Sequence, residues 1–362
     1  MYAQTSTTDL LDYASQRIDG RKRVIFDLPN GAPQERDDGI HRARHPHFAE
    51  ITLYETPVPG SDRFRLHERY LSGTQLNQID KCETLYKFQY RDGLRSPTGT
   101  RMILGIASHE YLHWALHPRY LTYQRTNSFV GSSKISDDTL ATAKAAAHAK
   151  LDTQLAENKD AVIFEPRWDK GPASTVDSLH EDLDLFIDLM RTELLPTTWP
   201  MALEAAILLR WSDPHTRPFF GMLDVLAMNG NLQPYILDLK TGARSKSGDD
   251  VAYDLKMIGY ASAARIATGL DIRTIQYANL LRHKDGPQLK QIPVPFEPKS
   301  VIRLYHTCAA VSRQLDADDG FGGKGIFKLR NSKMACPGCP FFSQCNDAYG
   351  PIVAIGDDET TA

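Results

Sequence analysis

Three apolar runs between residues 201 and 242 limit what this chain can fold into more than any other feature. MALEAAILLRW and PFFGMLDVLAM flank the turn-prone segment SDPHTR, and LQPYILDLKTG follows after the turn MNGN. Apolar runs bounded by turn residues predict strands, and two such runs joined by a short turn predict a hairpin. The sequence therefore predicts a hairpin followed by a third strand.

Helical patterns account for much of the remaining chain. Apolar residues at helical spacing, or a high helix propensity, predict helices in 71–94, around 105–116, and in 138–158, 179–194, 250–267 and 301–315. Two further strands are predicted in TIQYANLLRH and QLKQIPVPF, and another near 51–54. Helices followed by a mixed sheet with one intervening helix indicate an α/β or α+β fold.

The composition is that of a soluble globular protein. Hydrophobic residues make up 41% and charged residues 24% of the chain, which is ordinary. No apolar run approaches the roughly 18 residues that cross a bilayer. The N-terminal stretch lacks the apolar core of a signal peptide. We therefore expect a cytoplasmic protein without a membrane partner. With a net charge of −3, nucleic acid would have to bind at local basic patches.

Two aspartates and a lysine lie within the predicted strands. Asp224 belongs to GMLDVL, and Asp238 and Lys240 belong to ILDLKTG on the next strand. Residues two apart on a strand point to the same face, so Lys240 should lie beside Asp238. Carboxylates suit Mg²⁺ or Mn²⁺, which phosphodiester hydrolysis requires. D-x-K alone is a common tripeptide, but this arrangement favours a nuclease centre.

Four of the five cysteines predict a metal site. Cys336, Cys339 and Cys345 form a C-x2-C-x5-C group, and Cys82 lies far upstream. Because cytosolic thiols stay reduced, such a group favours metal ligation over disulfides. Four thiolates satisfy an iron–sulfur cluster or a structural zinc ion. Cys308 lies on an apolar helical stripe and is predicted to be a core residue.

The order of these motifs resembles the RecB-like branch of the PD-(D/E)XK superfamily. That family carries a G-x-x-x-H helix, a G-x-x-D strand, a D/E-x-K strand and a Q-x-x-x-Y helix; GIASH and YDLKMIGYASAA supply the first and last here. The resemblance implies a restriction-endonuclease-like core, a mixed central sheet flanked by helices. It also implies metal ligands and catalytic residues: His109, Asp224, Asp238, the backbone carbonyl of Leu239, Lys240, Tyr260 and Lys256.

Two positions leave alternatives open. His113 lies one turn after His109 and competes with it, since a helical histidine is more often structural. Lys256 stands where the family carries glutamine, and it could contact a phosphate or point to solvent.

The cysteines make the resemblance more specific. CRISPR-associated RecB-like exonucleases and the AddB nuclease domain have one upstream and three downstream cysteines that hold a [4Fe-4S] cluster, which implies the same role for Cys82, Cys336, Cys339 and Cys345. A weaker resemblance, to phage RecE-like exonucleases, includes Glu204.

The sequence thus predicts an N-terminal extension (1–65), a nuclease domain (66–350) with a helical insertion at about 118–195 and an iron–sulfur staple, and a tail (351–362). The predicted function is metal-dependent exonucleolytic cleavage of DNA ends or single strands in recombination, repair or phage DNA metabolism, with a helicase or recombination protein as a further partner. An endonuclease of the same fold and a non-catalytic DNA-binding adaptor are the alternatives. Candidate DNA contacts are Arg244, Lys246, Lys328 and Arg330.

Overall fold

A mixed sheet with helices on both faces forms the centre of the protein. The computed structural model describes residues 48–53 (backbone only), 70–94, 96–126, 128, 134–168, 170–242, 245, 248, 252–320, 336 and 339–349. The predicted α/β fold with a central mixed sheet is confirmed. In the described part of the chain, no helix is both long and apolar enough to cross a membrane.

Of the strands in the described residues, the six longer ones appear where the sequence predicts strands, whereas the three two-residue strands were not predicted. Their bounds are β1 (Phe48–Leu53), β2 (Leu71–Ser72), β3 (Thr98–Gly99), β4 (Val162–Ile163), β5 (Trp199–Trp211), β6 (Phe219–Met228), β7 (Pro234–Gly242), β8 (Thr274–Leu281) and β9 (Gln288–Pro295). The order in the main sheet is β1-β5-β6-β7-β8-β9, with β2 also paired to β6. β7 runs parallel to β8, and β2 to β6, whereas the other pairs of this sheet are antiparallel. The hairpin is β5–β6, and the third strand is β7.

Helices cover both faces of this sheet. Their bounds are α1 (Gly73–Lys81), α2 (Glu83–Tyr86), α3 (Thr100–Thr126), α4 (Asp137–Glu157), α5 (Val176–Leu189), α6 (Leu255–Thr268), α7 (Ser300–Gly320) and α8 (Phe342–Tyr349). Neighbouring residues of β7 enter opposite cores. Ile236 packs in the core that includes residues of α6 and α7, and Leu237 in the core that includes residues of α3 and α5. Because both faces of β5 to β8 are mostly buried, these strands are nearly continuous apolar runs.

The predicted helix over 71–94 is interrupted at Cys82. Ser72 caps α1 through a reciprocal pair of hydrogen bonds with Gln75, which satisfies the first turn of the helix. Cys82 then adopts an extended conformation, with φ −165° and ψ 114°, between α1 and α2. Apolar spacing alone could not show this break, because the apolar face continues through it.

Two elements cross the boundaries expected from the sequence. The strand expected near 51–54 runs over Phe48–Leu53 and pairs with β5, Ile51 opposite Leu209. Residues of the predicted N-terminal extension thus contribute to the main sheet. α3 continues through Pro118 to Thr126, and buried Arg119 donates to the Thr198 carbonyl at 3.0 Å. This bond fixes the end of α3 beside β5.

Candidate active site

The strand register brings the two predicted aspartates together. Val225 of β6 pairs with Leu237 of β7, so Asp224 and Asp238 are the next residues on either strand. There the Asp224 Oδ2 atom accepts the backbone N–H of Leu239 at 2.8 Å. A carboxylate therefore takes the place of a backbone acceptor where the two strands separate.

Asp238 is enclosed by two lysines. Its side chain is 0% exposed. Lys240 pairs with the Oδ2 atom, and the Lys256 Nζ atom donates to the Oδ1 atom at 3.0 Å. Lys240 comes from the same strand and Lys256 from α6. Buried charges need such partners, and here each carboxylate oxygen has an ammonium group of its own.

The electrostatics follow from burial opposed by these partners. Burial acts to raise the pKa of Asp238, but the two ammonium groups outweigh it and hold that pKa well below its ordinary value. Burial lowers the pKa of Lys240, and the positive charge of Lys256 lowers it further. Burial also opposes the charged form of Lys256, but the negative charge of Asp238 outweighs it and raises the Lys256 pKa. Asp238 is therefore ionised at neutral pH.

Lys256 is held in place from three sides. The Asp254 carboxylate caps α6 by accepting the Lys256 backbone N–H at 3.0 Å, and it also accepts the Tyr277 hydroxyl at 2.8 Å. A Cβ atom on Gly73 would lie 2.3 Å from the Lys256 Cβ atom, so the start of α1 packs directly on this side chain. The Lys256 ammonium also lies 5.2 Å from the ring centre of Tyr260. The Lys256 ammonium thus faces Asp238 and the cavity rather than open solvent, and a phosphate contact of Lys256 stays a prediction.

The two histidines of α3 have different surroundings. The His109 Nε2 atom donates to the Leu239 carbonyl at 3.1 Å, and its Nδ1 atom lies 3.7 Å from the Asp224 Oδ2 atom. His113 is buried, with its Nδ1 atom 3.7 Å from the Glu204 Oε2 atom. His109 therefore touches the predicted aspartate and carbonyl, and His113 touches the acidic residue of β5.

A strained backbone at Glu204 and a close contact between Gly221 and Tyr260 shape the rest of the site. Glu204 has a φ of +43° within β5, a strained conformation for a residue with a side chain, of a kind that clusters at functional sites. Tyr260 is buried, and a Cβ atom on Gly221 would lie 2.2 Å from its ring. The glycine of the G-x-x-D motif thus makes room for the predicted tyrosine.

A cavity of about 450 Å³ opens beside these groups. Its wall includes His109, Glu204, Asp224, Lys240, Lys256 and Tyr260. Asp238 lies behind this wall, fully buried against the two lysines. A molecule in the cavity therefore meets Asp224 and the ammonium groups before it reaches Asp238.

A comparison with protein families decides the classification. The model of the PD-(D/E)XK nuclease superfamily matches residues 70–346, which is more than half of the chain and spans all of the residues above. The chain belongs to the PD-(D/E)XK nuclease superfamily. No curated protein matches it. Among solved structures, the crystal structure of SSO0001 is 13% identical over 76% of this chain and 95% of that chain, with a TM-score of 0.18.

PD-(D/E)XK nucleases generally use Mg²⁺ or Mn²⁺, and the donors of this site fit such an ion. Asp224 and the Leu239 carbonyl offer oxygen atoms at the cavity, and Asp238 lies behind them. Magnesium usually takes one or two carboxylates and keeps several waters. Among the described side chains, no group of three or more His, Cys, Asp or Glu residues is placed to hold a metal ion. The residues therefore fit a divalent cation held at an open site, where the Leu239 carbonyl and water complete the set of ligands.

The four cysteines predicted as ligands lie in one neighbourhood. Burial raises the pKa of the Cys345 thiol, and the charges of Cys82, Cys339 and Cys336 raise it further. Within the described residues these thiols do not form a group placed to hold a metal ion, so the iron–sulfur cluster stays a prediction. Cys308 is fully buried, and its predicted core position is confirmed.

Some residues were missed or cannot be placed. Arg244, Lys246, Lys328 and Arg330 lie outside the described residues. Sequence reasoning missed Asp254 and Tyr277, which fix Lys256. An acidic residue immediately before a helix is an N-cap signal, so the capping role of Asp254 could have been predicted. The contact of Asp254 with Tyr277 of β8 could not, because it joins distant segments.

Proposed function

We propose that this PD-(D/E)XK nuclease is a metal-dependent deoxyribonuclease that degrades DNA from its ends. The proposal is supported chiefly by one observation: Asp224 and Lys240 line a single cavity beside His109, and Asp238 lies directly behind the wall of this cavity, paired with Lys240. These residue types are the ones that hydrolysis of a phosphodiester needs. The adjacent strands β6 and β7 supply the two aspartates and the lysine, and α3 supplies His109.

Each residue has a role that follows from its position. We assign Asp224, Asp238, the Leu239 carbonyl and His109 to holding or supporting a divalent cation. When bound, Mg²⁺ or Mn²⁺ would stabilise negative charge on the phosphate and make a bound water more acidic. Lys240 faces the cavity and orients the attacking water or donates to a phosphate oxygen. Water adds to phosphorus, the P–O bond to the leaving nucleotide breaks, and the leaving oxygen takes up a proton.

The preference for DNA ends is supported by the resemblance to RecB-like exonucleases. It is tested with end-labelled linear DNA and covalently closed circular DNA, each single- and double-stranded, in Mg²⁺, Mn²⁺ or EDTA. We expect linear DNA to be degraded when the cation is present. The circular DNA should stay intact. Cutting of circles would replace the exonuclease by an endonuclease of the same fold. No cleavage of any substrate would contradict the nuclease proposal and leave the DNA-binding adaptor.

We further propose a [4Fe-4S] cluster held by the cysteine group Cys82, Cys336, Cys339 and Cys345, with structural zinc as the alternative. Support comes from the shared electrostatic neighbourhood of these thiols and from the edge-on contact of Phe88 with Phe341, 5.8 Å between ring centres. That contact brings together the segments that carry the first and the last three cysteines. Such a cluster would staple the start of the nuclease domain to its end.

The proposed setting is supported by the resemblance to RecB-like and phage exonucleases. We place the enzyme in the cytoplasm of a bacterial or phage-infected cell, in DNA recombination, repair or phage DNA metabolism, with a helicase or recombination protein as a partner. The domain assignment is proposed as 66–350 with an insertion at about 118–195, preceded by an extension (1–65) and followed by a tail (351–362). The strand Phe48–Leu53 joins the sheet of this domain.

A further inference from the structure

The most unusual feature of the site is the pair of lysines on one aspartate. The Asp238 Oδ1 atom accepts from Lys256 at 3.0 Å, and its Oδ2 atom pairs with Lys240. Asp238 is 0% exposed, whereas the lysine side chains are 33% (Lys240) and 21% (Lys256) exposed and line the cavity. The two ammonium groups therefore stand between the cavity and the carboxylate.

The four charged side chains in and around the Asp238 ion pairs balance one another. Asp224 and Asp238 carry two negative charges, and Lys240 and Lys256 carry two positive charges when protonated, so these four sum to zero; Glu204 lies elsewhere on the cavity wall, beside His113. With an uncharged residue at position 256, the same group would carry one negative charge. A divalent cation that approaches Asp238 is thus repelled by the positive charge of Lys256. Glutamine at this position would not repel it in this way.

The position of Lys256 is built into the fold. Asp254 caps α6 and accepts the Lys256 backbone N–H, and it is itself fixed by the Tyr277 hydroxyl. The backbone of Gly73 leaves no room for a Cβ atom beside this side chain. These contacts aim the ammonium at Asp238 and the cavity, so that Lys256 is available both to the carboxylate and to an anion entering the cavity.

We propose that Lys256 couples binding of the divalent cation to binding of the DNA phosphate. Without DNA, Lys256 neutralises Asp238 and weakens binding of the cation. When a phosphodiester with its negative charge enters, Lys256 turns to a phosphate oxygen and frees the Asp238 Oδ1 atom for the cation. By thermodynamic linkage, the cation must then strengthen DNA binding by the same factor. Lys256 is in this sense a positioning residue that makes the site complete only on substrate. This inference rests on the proposed function.

The test measures Mn²⁺ affinity by calorimetry or electron paramagnetic resonance, with and without a phosphorothioate oligonucleotide. In the DNA-free protein, Lys256→Gln and Lys256→Met should each bind Mn²⁺ about tenfold more tightly than the wild type, within the 5- to 150-fold range of typical coupling. The oligonucleotide should tighten Mn²⁺ binding in the wild type and much less in these variants. Lys256→Arg, which keeps the charge, should behave like the wild type.

Lys159→Gln is the matched control, because it removes one positive charge at an exposed site after α4. Its Mn²⁺ affinity should not change. A merely structural Lys256 would alter the melting temperature but leave the Mn²⁺ affinity and its dependence on DNA as in the wild type, and that result overturns the inference. If the wild type still cleaves DNA in that case, the proposed function stands. If neither the wild type nor the Lys256 variants bind Mn²⁺ and the wild type cleaves no DNA, the inference and the proposed function both fail.

Discussion

Replacing Asp238 by asparagine should destabilise the protein, apart from any effect on activity. The change leaves Lys240 and Lys256 facing each other without the carboxylate that neutralises both. Removing one partner of a fully buried ion pair costs about 3–5 kcal/mol. Because the lysine side chains are 33% and 21% exposed, both ammonium groups retain access to solvent. We therefore expect a smaller loss, about 2 kcal/mol in the free energy of unfolding.

The assay is urea denaturation followed by circular dichroism, at neutral pH and in EDTA. Adding Lys256→Met to Asp238→Asn removes the repulsion that the first change creates. The double variant should lose less stability than the sum of the single losses, by about 1–2 kcal/mol. Asp285→Asn is the control, since Asp285 is 68% exposed, and surface changes usually stay within about 0.5 kcal/mol. Unchanged stability of Asp238→Asn, with strictly additive losses, would refute the two-lysine arrangement.

The same variant has a defined pH dependence. The folded-state pKa of Asp238 is depressed by its two lysines, so its contribution to stability is fully present above the unfolded value of about 3.9. That contribution is lost as the pH falls from there through the lower folded pKa. The stability difference between the wild type and Asp238→Asn should therefore be constant around neutrality and shrink below about pH 4.

Further changes separate the parts of the site. His109→Ala should reduce cleavage and weaken its metal dependence, whereas His113→Ala should act mainly on stability; equal and mild effects in both would contradict the assignment of His109. Gly221→Ala should lower the melting temperature and the free energy of unfolding, the latter by about 1–3 kcal/mol, because the new Cβ atom would lie 2.2 Å from the buried Tyr260 ring. Gly230→Ala is the control: its new Cβ atom would meet nothing closer than 3.8 Å, so the change should be nearly neutral. Anaerobically purified protein should contain about four irons per chain, bleach when any residue of the cysteine group is replaced, and keep its colour in Cys308→Ala; one tightly held zinc instead would refute the iron assignment alone.

The strands of the site could be predicted from the sequence because their apolar runs are long and bounded by turn residues. The hairpin and the strand after it place Asp224 and Asp238 on neighbouring strands without knowledge of any other contact. The two-residue period then places Lys240 beside Asp238. These local rules suffice wherever neighbours in the chain are also neighbours in space.

The remaining features depend on contacts between distant segments. The inward direction of Lys256 requires the Tyr277 hydroxyl on Asp254 and the close approach of Gly73, both set by packing of α6 on the sheet and on α1. The break at Cys82 leaves the apolar spacing intact and is therefore not visible in it. The strand Phe48–Leu53 finds its partner only across the long separation to β5.

The most direct test of the central claim is cleavage of end-labelled linear DNA by the wild type, Asp224→Asn and Lys240→Ala in Mg²⁺, Mn²⁺ or EDTA. Circular dichroism should show that both variants are folded. The account predicts degradation by the wild type that requires the cation and falls by several orders of magnitude in either variant. Wild-type rates in a folded Lys240→Ala or Asp224→Asn protein, or undiminished cleavage in EDTA, would contradict it.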